Sequence, residues 1–211
     1  MISRAAAIAQ NLRLEPVPTL PDIRLYTAHP GSRLSQFADP DDNDPPAPYW
    51  AYQWAGGLAL AHHFRAHPEL VQGKRLLDLG AGSGLVGITA SKLGAHTKAA
   101  EIDPNGRAAI TLNAAANGVI LPLIDIDLHS APPQDVDLIA AGDVFYNAEI
   151  ARLMLPFLTR CTGSGITVLI GDPDRRDLPI AQLELLASYA VGDVGDVRSN
   201  TGRKGSVYRL A

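Results

Sequence analysis

The chain is poor in cysteine, in long apolar runs and in clustered positive charge, and each shortage removes a class of function. Cys161 is the only cysteine among 211 residues. One thiol builds neither an intramolecular disulfide framework nor a cysteine-based zinc site, and a reducing compartment suits it. No apolar stretch approaches the roughly 20 residues that span a bilayer, and the N-terminus holds no continuous signal core. The formal net charge is −4 and no long basic run occurs, so composition advertises no electrostatic grip on a nucleic-acid backbone. Neither nucleic acid nor membrane is therefore expected as a partner. The opening MISRAAAIAQNLRL lacks acids and carries Arg4 and Arg13, a pattern shared by an ordinary first helix and an amphipathic targeting segment. A cytoplasmic location is expected, with the mitochondrial matrix as the alternative.

What is present is organised around RLLDLGAGSGLVG, from Arg75 to Gly87. A short apolar strand, Arg75 to Leu79, runs through Asp78 into a turn built on Gly80, Gly82 and Gly84, and a helix opens behind it. Backbone N–H groups then face a ligand at close range, as in nucleotide-type loops at the carboxyl end of a strand. The dinucleotide fingerprint GxGxxG wants glycine at position 85, where this chain has Leu85. The spacing GxGxG behind an acid favours S-adenosylmethionine instead. The acid can hold the ammonium of the ligand's methionine part, while the glycines admit main chain and sugar where a Cβ would collide. Taken alone, the motif also reads as a simple glycine-rich turn.

Upstream, Ala5 to Leu14 reads as a short helix, and Pro16, Pro18 and Pro21 force an extended passage into a strand at Ile23, Leu25 and Tyr26. His29 to Pro48 is a Pro-, Asp- and Ser-rich surface loop whose acids Asp39, Asp41, Asp42 and Asp44 read as solvated charge or as a docking surface for a basic partner. In PYWAYQWAGG, Tyr49, Trp50, Tyr52 and Trp54 are half of the chain's six Tyr and two Trp. They serve either as plugs at the edge of the core or as a wall around adenine or a substrate channel. The helix expected from Gly57 to His67 spaces His63 and His67 as zinc ligands would be. Phe64 stands where a glutamate would follow and no third ligand is apparent, so no metal is expected.

Downstream, the helix Leu85 to Leu93 stops at Gly94, and a strand from Thr97 to Ile102 ends among Glu101 and Asp103. Glu101 lies about 20 residues beyond Gly80, the distance at which an acid meets a ribose, whereas Asp103 before Pro104 reads as a helix cap. A helix from Asn105 to Asn117 and a strand from Val119 to Ile124 lead to Asp125, Ile126 and Asp127, one of whose acids can meet the adenine amino group. The strand Val136 to Ala141 runs into Gly142, Asp143, Val144, Phe145 and Tyr146. In an open α/β sheet this strand neighbours the first, which sets Asp143 and Tyr146 beside the transferable methyl group. A helix Ala148 to Arg160, a strand Ile166 to Ile170, a helix Pro179 to Ala187 and strands at Tyr189 to Val194 and Val207 to Leu210 complete the pattern. Gly171, Asp172 and Pro173 form a turn capped by the acid or a substrate contact. The expected architecture is a Rossmann-like seven-strand α/β sheet, mainly parallel with a C-terminal antiparallel hairpin and helices on both faces. Residues 1–47 read as an extension and 48–211 as the main domain, together one compact monomeric unit.

Five segments in order carry a family resemblance: PYWAYQWAGG (Pro48 to Gly57), LLDLGAGSG (Leu76 to Gly84), EIDP (Glu101 to Pro104), GDVFY (Gly142 to Tyr146) and LIGDP (Leu169 to Pro173). On these the chain resembles the seven-strand S-adenosylmethionine-dependent protein lysine methyltransferases, most closely those of the electron transfer flavoprotein β subunit. The resemblance implies that Asp78, Gly80, Gly82 and Glu101 hold the cofactor, with Trp54 bordering its pocket. Gly84, Gly142 and the run Asp125, Ile126 and Asp127 complete the expected cofactor-binding set. Asp143 and Tyr146, the DxxY of this branch, address the incoming lysine. Related enzymes often carry Asp where this chain has Glu101. GDVFY lacks the adjacent prolines of the NPPY or DPPY loop, which disfavours methylation of a base or a glutamine amide.

The implied reaction is in-line displacement from a sulfonium, leaving S-adenosylhomocysteine, so alignment and exclusion of water are the main tasks. A free lysine has a pKa of roughly 10.4 and must be neutral to react. An apolar channel lowers that value and a facing carboxylate raises it, so Asp143 is expected to orient the amine more than to act as a strong base. Methylation of another protein, such as a ribosomal protein, or of a small amine is the alternative. A cofactor-binding module without catalysis is the reading from a different class.

Overall fold

The computed structural model describes residues 2–38, 47–191 and 203–211. Helix α1 (Arg4–Asn11) is capped by Ser3, whose hydroxyl accepts the Ala6 N–H at 3.2 Å. It is shorter than the sequence suggests, because Leu12 is already extended. Residues beyond it form β1 (Arg13–Val17), antiparallel to β2 (Leu20–Thr27), with Pro16 at the irregularity in the register. The prolines thus shape a hairpin rather than a single extended passage, since an irregular edge position tolerates a missing N–H.

The main sheet comprises β3 (Arg75–Leu79), β4 (His96–Ala100), β5 (Leu123–Ile124), β6 (Leu138–Gly142), β7 (Thr167–Asp172), β8 (Leu183–Val191) and β9 (Arg203–Leu210). These seven strands lie in the order β5-β4-β3-β6-β7-β9-β8. All pairings are parallel up to β7, and β9 is antiparallel to both β7 and β8. The connecting helices are α2 (Ala55–Ala66), α3 (Leu85–Lys92), α4 (Pro104–Ala116) and α5 (Ala148–Gly163). This is the seven-strand Rossmann-like sheet with its antiparallel C-terminal hairpin. None of the described helices is long and apolar enough to cross a membrane.

Both faces of the sheet are buried, as a parallel sheet requires. On one face Leu77, Leu79, Ile139 and Ile170 pack with Phe157 and Leu158 of α5. On the other, Leu76, Leu138 and Leu169 pack with Leu60 and Phe64 of α2 and Val86 of α3. Val17, Leu20, Ile23 and Leu25 of the hairpin share a third cluster with Leu58, Leu85 and Ile110. Strand alternation puts Asp78 on the face of Leu76, under α3.

Two further expected elements differ. Residues 180–182 form only a single 3-10 turn, and Leu183–Val191 is a strand rather than part of a helix. The Leu- and Glu-rich segment has local helix propensity, but pairing with β9 from Leu183 to Val191 overrides it. The expected strand Val119 to Ile124 shrinks to Leu123–Ile124; Pro122 has no N–H to donate, although its carbonyl accepts from Ala99 at 2.8 Å. Within the expected strand Tyr189 to Val194, residues 192–194 lie outside the described residues, as do Asp39, Asp41, Asp42 and Asp44.

Candidate functional site

The carboxyl ends of β3, β4, β6 and β7 meet at one rim, and each carries a loop of the site. Gly80, Gly82 and Gly84 all have positive φ, at 68°, 54° and 80°, a backbone that other residues adopt only with strain. A Cβ on Gly80 would lie 3.0 Å from Val144, and one on Gly84 3.3 Å from Ile110, whereas Gly82 has no neighbour closer than 4.0 Å. Gly82 therefore faces the open side of the loop, while the glycines on either side serve its packing. Asn113 on α4 supports the loop from behind. Its amide donates to the Ser83 carbonyl at 2.8 Å and accepts the Tyr26 N–H at 2.7 Å, which ties the loop to β2.

Asp78 lies beneath the loop. It is 1% exposed, and its Oδ2 accepts the Gly87 N–H at 2.8 Å. Burial pushes its carboxyl up to about 7. Strand alternation turns the side chain under α3, where its Oδ2 anchors that helix's first turn.

Glu101, just past the end of β4, clamps the loop from its other side. Oε2 accepts the Gly82 N–H at 2.8 Å and Oε1 the Asp103 N–H at 2.9 Å; each oxygen keeps a second lone pair for a ligand hydroxyl. Burial raises its pKa against the pull of these two bonds. Gly106 leaves the room this requires, since a Cβ there would come within 2.8 Å of the Glu101 side chain. Asp103 caps α4, accepting the Asn105 N–H at 2.7 Å, as its position before Pro104 suggests.

The run after β5 divides its duties. Asp125 stands at the rim, and Arg107 bonds both its Oδ1, at 2.9 Å, and the Glu101 carbonyl, at 3.1 Å. Ile126 packs against the core, and Asp127 closes a local turn by accepting the His129 N–H at 2.9 Å. Of the two acids, Asp125 is the one held beside Glu101. Ile102, 90% exposed between two acids, adds an apolar surface to the same rim. The sequence reading passed over it, although an apolar residue amid EIDP was a signal.

The aromatic segment splits in two. Trp50 is 2% exposed and packs edge-on against Phe37 at 5.2 Å, among Ile8, Leu12 and Ala109; it is a plug. Tyr49 and Trp54 instead form a wall. Trp54 donates to the Tyr49 carbonyl at 2.8 Å, their rings lie 5.7 Å apart, and Tyr49 faces Tyr146 at 5.5 Å. Tyr52 backs Trp54 at 6.2 Å. Tyr146 is partly exposed, and burial raises the pKa of its phenol.

Asp143 follows β6 with a φ of 59°. Its N–H donates to the Gly171 carbonyl at 2.8 Å, and its Oδ2 accepts the Gly57 N–H of α2 at 2.8 Å. Its Oδ1 accepts from Arg175, which also reaches Asp172 Oδ2 at 3.2 Å. Burial pushes the Asp143 carboxyl up to about 6, with Arg175 pulling the other way. Gly142, expected among the cofactor-binding residues, turns its Cα hydrogen toward α2. A Cβ there would meet Gly57 at 3.0 Å, so it is the glycine that lets α2 approach β6. Asp172 is fully buried and accepts the Arg175 N–H at 2.7 Å, which is the capped turn rather than a surface contact. Arg175 escaped the sequence reading; its only signal is a cation following the acids of GDPD. His63 bonds the Tyr189 hydroxyl at 2.9 Å, with His67 alongside at 4.8 Å.

Comparison with known proteins adds a family. A profile described as lysine methyltransferase matches residues 51–186. The electron transfer flavoprotein β subunit lysine methyltransferase of Rattus norvegicus is 40% identical over 131 residues, 61% of this chain and 51% of that protein. Its counterpart in Xenopus laevis is 35% identical over 196 residues, 88% of this chain and 78% of the frog protein. The chain spans about half the length of the rat, zebrafish and human proteins it matches. Among solved structures, the Pyrococcus abyssi tRNA (uracil-54, C5)-methyltransferase in complex with S-adenosyl-L-homocysteine shares the fold. It has a TM-score of 0.53 at 17% identity, covering 72% of this chain and 38% of that one. With the profile spanning more than half of the chain and the frog relative aligned over most of both proteins, the chain belongs to the lysine methyltransferase family.

Proposed function

We propose that this protein is an S-adenosylmethionine-dependent protein-lysine N-methyltransferase that acts on the β subunit of electron transfer flavoprotein. The observation that carries the reading is the pairing of β3 with β6, Leu79 opposite Ala141, which brings the cradle of Gly82 and Glu101 next to Asp143 and the Tyr49–Tyr146 wall. The cradle fits the cofactor: open space at Gly82, an acid with free lone pairs for the ribose, and Asp125 with Ile102 for the adenine end. When bound, S-adenosylmethionine supplies an electrophilic methyl group on a sulfonium.

The chain's own residues supply the rest. Tyr49, Trp54 and Tyr146 line an entry that is apolar on its faces, which favours a neutral amine and excludes water. Asp143 accepts a hydrogen bond from the incoming nitrogen and fixes its direction. Because that carboxylate already holds the Gly57 N–H, it is a modest base, and the lysine proton leaves to water. The substrate follows from the names of the curated relatives. We take the protein to be a cytoplasmic monomer. Ile8 and Leu12 of the first segment are buried against Trp50 and Ala109, which favours an integral first helix over a targeting segment. The hairpin's share in the core likewise favours residues 1–47 folding with 48–211 as one unit.

The test is transfer of label from methyl-labelled S-adenosylmethionine to purified electron transfer flavoprotein and, in parallel, to a cell lysate, with the Asp143→Ala variant as control. Label on the β subunit that is lost in the variant supports substrate and site together. Label on another protein keeps the chemistry and discards the substrate. Cofactor binding without any transfer points to a small amine or to a module without catalysis.

A further inference from the structure

We propose that Arg175 is a positioning residue for methyl transfer: by bridging Asp143 to Asp172 it holds the Asp143 carboxylate ionised and fixed at the end of β6. The inference rests on the lysine methyltransferase reading of the site and assigns a role to a residue outside it. Three bonds hold Asp143: its N–H to the Gly171 carbonyl, the Gly57 N–H to Oδ2, and Arg175 to Oδ1. Only the last carries a charge. The side chain of Asp143 is 11% exposed, and a carboxylate so desolvated takes up a proton unless a cation faces it. The other ionisable group acting on it is Asp172, a like charge that opposes ionisation, and α2 contributes only the uncharged Gly57 N–H.

Arg175 is itself held where it can do this. Asp172, without exposed side-chain surface, takes the Arg175 N–H on Oδ1 and its guanidinium on Oδ2. The preceding Asp174, at a φ of 65°, is held by the Tyr208 hydroxyl. A guanidinium does not lose its proton in this setting, so the cation facing Asp143 is permanent.

The arrangement has a chemical consequence for the substrate. A bare carboxylate beside a lysine would raise the lysine's pKa and keep it protonated, whereas a carboxylate already compensated by Arg175 raises it less. The same guanidinium therefore keeps the acceptor ionised and limits the charge that the amine meets.

The experiment follows the Asp143 carboxyl by NMR in full-length protein labelled with 13C-aspartate, the signal being assigned with D143N. Wild type, R175Q and R175K are compared, alongside the pH profile of kcat/KM for protein methylation and the Kd for S-adenosylmethionine. R175Q keeps a donor and removes the charge; its Asp143 midpoint should rise by about one unit or more, and the acid edge of kcat/KM should rise with it. The cofactor Kd should stay within about twofold, and R175K should return both midpoints most of the way. A midpoint unchanged in R175Q, or one that moves while the acid edge stays, overturns the inference. A reading without variants guards against misfolding: in wild type the 15N shifts of the Arg175 guanidinium should titrate with the Asp143 midpoint, and insensitivity there also overturns it. If wild type methylates no protein, the functional reading falls while the two NMR midpoints still decide the role of Arg175.

Discussion

Gly56 and Gly171 lie so close that a Cβ on either would run into the carbonyl oxygen of the other, and one on Gly56 would also stand 2.7 Å from Asp143 Oδ2. The approach presses the first turn of α2 onto β7 and delivers the Gly57 N–H to Asp143. A methyl group on Gly171 meets the Gly56 backbone in the first turn of α2 and the Leu60 side chain, and a hydrogen-bonded helix turn cannot step aside. Gly171→Ala should therefore destabilise by about 3 kcal/mol or more and abolish methyl transfer, as read by thermal melts and the labelling assay. A stable, active Gly171→Ala protein would contradict this packing.

Asp143→Asn keeps an acceptor for the Gly57 N–H but removes the charge. Label transfer is expected to fall by about 100-fold or more, while the Kd for S-adenosylmethionine measured by calorimetry stays within a few-fold. Equal losses in both would move Asp143 from the lysine to the cofactor.

Glu101 and the two acids after β5 separate the cofactor contacts. Charge-assisted hydrogen bonds contribute about 1.5–3 kcal/mol, so Glu101→Ala should weaken S-adenosylmethionine binding roughly 10- to 100-fold, helped by release of the Gly82 N–H. Asp125→Ala should weaken it by a smaller factor. Asp127→Ala, which removes only a local turn bond, should leave it unchanged. Calorimetric titration of the three variants checks the order.

Tyr49 and Tyr146 face each other across 5.5 Å, and the wall they form acts as a unit. Tyr49→Ala and Tyr146→Ala should each raise KM for the protein substrate more than they change cofactor affinity. The double variant should cost less than the two single losses combined, because the second ring has already lost its partner. Strict additivity in a double-mutant cycle would separate the rings.

Asp78 makes stability depend on pH. Its native value of about 7 stands above the ordinary 3.8, so between those limits the folded form binds the extra proton. Stability from this group is present at low pH and declines as pH rises through the window, by up to about 1.4 kcal/mol per unit. Asp143, raised to about 6, adds the same sign over a narrower range. Asp78→Asn retains an acceptor for Gly87 and should flatten the decline, so that its denaturant midpoint exceeds that of wild type at pH 8 and the gap closes toward pH 4.

How much could be read in advance depended on whether the cause was local. The glycine turn, the Asp103 cap and the stop at Gly94 are short-range matters of φ and of orphan N–H groups, and the structure has them where the residues imply. The place of Glu101 just past β4 was legible for a related reason: its distance from Gly80 reflects one helix and one strand of ordinary length. The segment from Pro179 was misread because its helix propensity is local, whereas its pairing partner, β9, lies beyond it in the chain. The aromatic segment allowed two readings, and burial alone separated Trp50 from Tyr49 and Trp54.

By itself the sequence determined the fold class, the glycine loop, the acid after β4 and the GDVFY segment, since these rest on period, spacing and residue type within one strand-and-helix unit. The tertiary structure alone decided what surrounds each acid. Strand alternation turns Asp78 beneath α3, while Arg107 draws Asp125 toward Glu101. Close glycine contact lets α2 reach Asp143, and the turn after β7 brings in Arg175. A carboxylate's role depends on which groups share its low-dielectric surroundings, and those partners come from separate loops that only the closed sheet brings together.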